Sequence, residues 1–226
     1  MAVISFPSDV RERQARCEEE LGQFGIRTPA TLPPVVSEID VVLRSAPEVA
    51  RRAMALLVVA LRAESLMCPE LAVADLREKR PLALRALTPK EQAFLNDVAP
   101  DQQQITNFAW RYEALWLLAW ALGLVEVLCY PSETCDVGIL SKTLLALDEE
   151  ALLKNAKLLP TETLLDALDL HFRLHWLVRQ RQDGKPSDGE TGGSDLDPGV
   201  VLERHHALNW LVQYEGAEWD DVQTPT

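Results

Sequence analysis

The chain has 226 residues, of which 47% are hydrophobic and 25% are charged, and its formal net charge is −13 at pH 7. This length suits one domain, and the composition is that of an ordinary globular protein, which excludes disorder over most of the chain. The charge argues against nucleic-acid binding, because affinity for phosphate backbones comes from clustered Lys and Arg, and the sequence has no such cluster. A basic partner protein, or simple solubility, fits the charge better.

The sequence also argues against a zinc site and a membrane span. Its four cysteines form no CxxC pair, which disfavours structural zinc. The N-terminal apolar run is too short for a signal peptide. The longest uncharged apolar run, 114–125, has 12 residues, whereas a helix that crosses a bilayer needs about 20. We therefore expect a cytoplasmic protein with reduced thiols and no contact with a membrane.

Helix signals recur along the chain. Three helix starts carry a capping residue followed three positions later by an acid or amide, as a capping box requires: Ser45 with Glu48, Thr88 with Glu91, and Asp101 with Gln104. With the apolar periodicity, these signals predict helices over 9–24, 46–65, 69–79, 89–97, 102–122, 149–157, 162–182 and 198–214. Only 35–43 has Val and Ile content that also suits a strand. The predicted fold is all-α: one compact domain over 1–226, a bundle of about seven to eight helices around a central apolar helix near 102–122.

The stretch DGKPSDGETGGSDLDP, residues 183–198, contains four glycines and one aliphatic residue. This composition predicts a flexible surface loop. Because the loop joins two helices that are rich in His and Trp, it is either a lid over a site or a tolerated insertion.

Charged residues occur on apolar helix faces. In WRYEALWLLAWALG, residues 110–123, a rotation of about 100° per residue puts Glu113 in line with Trp116 and Trp120, and Arg111 on the opposite side, beside Leu115. The two charges then cannot pair with each other. Each is expected to find a partner on another helix, because an unpaired buried charge is costly.

The last two long helices show the same pattern. His171, His175 and Arg179 share a face with leucines, and Glu203 and Arg204 lie among the apolar residues of the last helix. The solvent side of the first of these helices is assigned to Asp166, Asp169, Arg173 and Gln180. The candidate cluster is Arg111, Glu113, His171, His175, Arg179, Glu203 and Arg204.

Three interpretations of this cluster are open: a lock that fixes helix register, a ligand or active-site pocket, and a metal site. Glu203 and His206 have the Glu-x-x-His spacing of di-iron bundles, and His171 with His175 has a chelating one-turn spacing. A di-iron bundle needs two such motifs and two further glutamates, and the sequence has only one Glu-x-x-His motif. The sequence therefore predicts no metal and no cofactor.

The segments WRYEALWLLAWALG, RLHWLVR and the closing ERHHALNWL...EWDDV together resemble a bacterial family known as domain of unknown function 4272. The likeness covers roughly residues 25–226. It implies a cytosolic, single-domain bacterial protein, and it brings no activity or catalytic residues to carry over.

The first functional hypothesis is a non-catalytic acidic protein that binds a protein partner or a small-molecule ligand. The alternative is an acid/base or metal-assisted hydrolase that uses Glu113, Glu203, His171 and His175. The closing EWDDV contains a tryptophan, and we expect this segment to dock on the body, because an exposed Trp is unusual in a free tail.

Overall fold

A computed structural model of the chain describes residues 7–68, 76–184 and 192–226. Its α-helices are α1 Ser8–Gln23, α2 Ala46–Met67, α3 Leu76–Lys79, α4 Pro81–Arg85, α5 Pro89–Asn96, α6 Gln102–Ala109, α7 Arg111–Ala121, α8 Val137–Leu145, α9 Glu149–Asn155, α10 Thr161–Gln182 and α11 Pro198–Leu211. Two 3₁₀ turns, Tyr214–Gly216 and Trp219–Asp221, follow. No strand occurs in the described ranges, so the predicted all-α class is confirmed.

The core is built around α7. This helix packs against both α2 and α11, and α11 packs in turn against α10. Nearly every residue of α7 is buried, so the prediction of a central apolar helix is correct for this segment. The shorter helices α4, α5, α6, α8 and α9 pack on α2, and α1 packs on α10. Within the described ranges, every helix falls short of the length and apolar character that crossing a membrane requires.

Local helix signals were reliable. Thr88 with Glu91 and Asp101 with Gln104 form capping boxes, and the Glu48 carboxylate accepts hydrogen bonds from both the N–H and the hydroxyl of Ser45. These interactions satisfy backbone N–H groups that the first turn of a helix leaves unpaired.

The predicted single helix over 102–122 is divided in two, because the α-helix is interrupted at Trp110, between α6 and α7. The N–H of Glu113 donates to the carbonyl of Trp110 at 3.0 Å, an i to i−3 bond that marks a tightened turn. The Trp110 ring lies on Gly199 of α11, where an added Cβ would come within 2.6 Å of the ring. This contact joins residues far apart in the sequence, so a local pattern does not show it.

Several boundaries also differ from prediction. Helices α4 and α8 were not predicted, and 35–43 is neither helix nor strand. Most of the predicted helix 69–79 and the centre of the predicted loop 183–198 lie outside the described residues. At the end of that loop, Gly192 donates to the carbonyl of Gly25 and Asp197 donates to that of Pro131, so this end is anchored. The lid role stays a prediction.

The C-terminal segment docks on the body, as expected. Trp219 is buried, and its ring lies 5.3 Å from that of Trp210 and 4.7 Å from that of His206. The Arg52 guanidinium lies over the Trp219 ring at 5.0 Å. The Asn209 amide donates to the carbonyl of Gln223 at 2.8 Å. The segment therefore packs along α11 and contributes Trp219 to the hydrophobic core.

Candidate functional site

Two ion pairs join α7 to α11. Arg111 donates to the Glu203 carboxylate at 2.9 Å, and Arg204 donates to Glu113 Oε2 through both Nε, at 3.1 Å, and Nη2, at 3.0 Å. The expectation that each charge finds a partner on another helix is met. The partners of Arg111 and Glu113 nevertheless both lie on α11. The sequence predicts instead that the two side chains point to opposite sides of their helix. The direction of a Cβ does not fix where an arginine ends, because its long stem can curve around the helix.

The Glu113–Arg204 pair is closed to solvent. The two side chains are 2% and 1% exposed, and their remaining polar atoms have partners. Glu113 Oε1 accepts from the N–H of Cys135 at 2.5 Å, and Arg204 donates to the carbonyl of Cys129 at 2.6 Å. Burial of Cys135 beside Glu113 raises the pKa of its thiol, which therefore stays protonated.

The Arg111–Glu203 pair is closer to the surface, with side chains 26% and 13% exposed. Burial raises the pKa of Glu203, while the neighbouring Arg111 opposes that shift. Both glutamates of the predicted cluster are therefore held by arginines, and the pairs tie α7 to α11.

The side chain of Arg179 is exposed on α10, and its charge acts on His175 of the predicted cluster. The assignment of Asp169 and Arg173 to the solvent side of α10 is wrong, since both are buried. Arg173 donates to Asp169 at 2.8 Å and to the hydroxyl of Thr28 at 3.1 Å. The physical reason is that α1 packs on α10, so α10 is covered on more than the one face that its apolar pattern indicates.

All four histidines of the chain lie on α10 and α11. His171 Nδ1 donates to the carbonyl of Ala167 at 2.8 Å, and its Nε2 is buried without a partner among the described residues. His175 and His205 approach through their Nδ1 atoms at 2.8 Å. In such a bond one neutral ring donates and the other accepts, so the two rings must hold opposite tautomers at this atom.

These histidines are uncharged at neutral pH. Burial, reinforced by the charge of Arg204, lowers the pKa of His171 to about 4. Burial and the charge of Arg179 do the same for His175. The pKa of His205 is held well below its ordinary value by burial and by the three other histidines. The described residues contain no group of three potential metal ligands, so the spacings that suggested a metal do not assemble a site there.

A cavity of about 390 Å³ lies next to the histidine pair. It is enclosed by the segment before α2, one side of α10, the end of α11 and the C-terminal residues. Its lining is Pro33, Pro34, Val35, Val36, Leu168, Phe172, His205, Asn209, Val212, Tyr214, Pro225 and Thr226. No Asp, Glu, Lys or Arg side chain is in this set. We call it the His205 cavity.

Sequence reasoning missed the residues of this cavity. His205 was passed over in favour of His206, whose spacing from Glu203 suggested a metal. The ring of His206 instead packs against Trp219. The helical angle of His205, about 100° from that of Arg204, indicates which face of α11 it occupies and not that a cavity lies there. The proline and valine run 33–36 gave no sign that it faces α10 and α11.

A second cavity, of about 340 Å³, lies where α6 ends and α7 begins. Glu113 lines this second cavity and His205 lines the first. The predicted convergence of Glu113, Glu203 and a histidine on one cavity is not found at either of these two.

One of the comparisons with known proteins gave a match. The model of the family described as domain of unknown function (DUF4272) matches residues 13–222. No curated protein and no solved structure matches the chain. This match spans nearly the whole chain and includes Trp110, both ion pairs and the two helices that carry the histidines. The protein therefore belongs to the DUF4272 family.

Proposed function

We propose that the protein is a non-catalytic binding protein whose ligand is a small, uncharged and largely apolar molecule held in the His205 cavity. The observation that carries the proposal is the cavity itself, a space of about 390 Å³ whose walls are mostly Pro, Val, Leu and Phe. Ligand sites are typically apolar concavities of this size with a few polar groups that fix the orientation of the ligand.

The polar side chains at the wall are those of His205, Asn209, Tyr214 and Thr226. The Nδ1 of His205 is engaged by the Nδ1 of His175 at 2.8 Å, which leaves Nε2 as the other ring nitrogen of His205. Because the ring is neutral, its Nε2 is an N–H donor when Nδ1 accepts from His175, and a bare acceptor when Nδ1 donates. The pair can therefore serve a hydroxyl or a carbonyl on the ligand by exchanging tautomers.

Charge also supports an uncharged ligand. The lining has no ionised side chain, and an ion in such a cavity would lose its hydration without gaining a counter-charge from a side chain. The positions of Glu113 and Glu203 also favour binding over hydrolysis. These two glutamates, the acid and base of the alternative hypothesis, are paired with arginines and lie outside this cavity.

A fluorescence titration with the neutral apolar dye N-phenyl-1-naphthylamine tests this proposal. Val36→Trp fills the cavity from its rim, and Val42→Trp makes the same change at an exposed position in the same segment. We expect Val36→Trp to weaken dye binding at least about tenfold, a loss near 1.4 kcal/mol, and Val42→Trp to leave it unchanged. Equal binding by both variants, or no binding to the wild type, would reject the proposal.

A further inference from the structure

The second cavity has a different chemistry from the first. It lies between the end of α2, the junction of α6 with α7, and the start of α8. Its lining is Glu64, Met67, Thr106, Ala109, Trp110, Tyr112, Glu113, Thr134 and Val137. Aromatic and apolar side chains thus surround two carboxylates.

We infer that this cavity, which we call the Glu64 cavity, binds an organic cation: a protonated amine carried on a small apolar or aromatic body. This inference does not depend on the proposed function, because it concerns another cavity and another class of ligand.

The two carboxylates differ in charge balance. Arg204 neutralises Glu113 from the side of α11. Glu64 accepts a hydrogen bond from the Tyr112 hydroxyl at 2.5 Å, and no described Lys or Arg lies within ion-pair distance of it. Burial and the adjacent Glu64 raise the pKa of Tyr112, so the phenol keeps its proton and remains a donor. Among the described residues, no cation therefore compensates the negative charge that Glu64 brings to the cavity.

The surrounding side chains suit an organic cation better than a metal ion. Trp110 and Tyr112 are aromatic, and aromatic faces attract ammonium groups. Met67, Ala109 and Val137 offer apolar surface for the body of the amine. A divalent metal needs several oxygen ligands, whereas one of the two carboxylates here is already held by an arginine, and the described residues contain no metal-ligand cluster.

The position of Trp110 is set by the fold. Its ring rests on Gly199 of α11, where no Cβ obstructs it, and Trp110 itself lines the cavity. A glycine in the first turn of the last helix thus supports an aromatic residue of the cavity wall.

The test compares phenethylammonium with its uncharged analogue 2-phenylethanol by ligand-observed NMR titration. We expect the amine to bind wild-type protein at least about tenfold more tightly than the alcohol, since a carboxylate in a partly desolvated site favours the cation by more than 1.4 kcal/mol. Glu64→Gln should abolish that preference, and Glu126→Gln, at an exposed position, should preserve it. Equal affinity for the amine and the alcohol in the wild type, or an unchanged preference in Glu64→Gln, would overturn the inference.

A second pair of variants keeps the test decisive if Glu64→Gln does not fold. Val137→Trp fills the cavity at the start of α8, and Ile139→Trp adds the same ring at an exposed position on that helix. Only Val137→Trp should prevent amine binding, and loss in both variants or in neither would contradict the assignment. Dye binding in the His205 cavity should be the same in all these variants, which separates a failure here from a failure of the proposed function.

Discussion

Neutralising Glu113 should destabilise the protein far more than neutralising Glu203. Glu113→Gln keeps the shape of the side chain and an acceptor for the N–H of Cys135, but it leaves the charge of Arg204 buried without a counter-ion. Arg204 is 1% exposed, and removal of one partner from a buried pair costs about 3–5 kcal/mol. Arg111 is 26% exposed, so water can solvate it after Glu203→Gln, and we expect a loss of about 1 kcal/mol.

Urea unfolding followed by tryptophan fluorescence at neutral pH measures both losses. A double variant, Glu113→Leu with Arg204→Met, removes both charges together and should be more stable than Glu113→Gln, because no buried charge remains. The reasoning is refuted if Glu113→Gln and Glu203→Gln lose equal stability, or if the double variant is less stable than the single one.

Three further predictions concern stability. The pKa of His171 and of His175 is about 4 in the folded state and about 6.5 when unfolded. Between these pH values the unfolded state therefore binds more protons than the folded state. The free energy of unfolding is then fully retained above pH 6.5 and falls as the pH decreases toward 4, by on the order of 3 kcal/mol for each histidine. Urea midpoints that stay constant from pH 7 to pH 5 would contradict this. Gly199→Ala should lower the free energy of unfolding by about 1–3 kcal/mol, because the Trp110 ring must move. Gly22→Ala, in a helix with open space around the new methyl, should raise it by about 0.5–1 kcal/mol. Melting temperatures of the two variants that shift in the same direction would show that the contact between Trp110 and Gly199 is not tight. Trp219→Ala should cost about 3–5 kcal/mol, and a loss below about 1 kcal/mol in urea unfolding would mean that the C-terminal segment is not part of the core.

The sequence was sufficient where structure is determined locally. The capping pairs at Ser45, Thr88 and Asp101 mark the helix starts correctly, because each is completed within one turn. The fold class followed from the helical periodicity. The pairing of Glu113 and Glu203 with arginines was also predictable, since a buried carboxylate needs a counter-charge whatever the topology.

Prediction failed where distant segments decide the outcome. Asp169 and Arg173 were assigned to solvent because a helical wheel shows faces and not which neighbours cover them. The Trp110 ring packs on Gly199, far along the chain. The His205 cavity joins residues from 33–36, α10, α11 and the C-terminal segment, and no local pattern in any one of these segments identifies it.

The most direct test of the central claim is to locate a ligand beside His205. In ¹⁵N-histidine-labelled protein, addition of N-phenyl-1-naphthylamine should shift the ring-nitrogen signals of His205 and of its partner His175, because ligand contact at His205 biases the tautomers of the pair. His206, which packs on Trp219 away from this cavity, should stay unchanged, and Val36→Trp should abolish the shifts. Dye binding that leaves the His205 signal in place, or that moves His206 instead, would contradict the account.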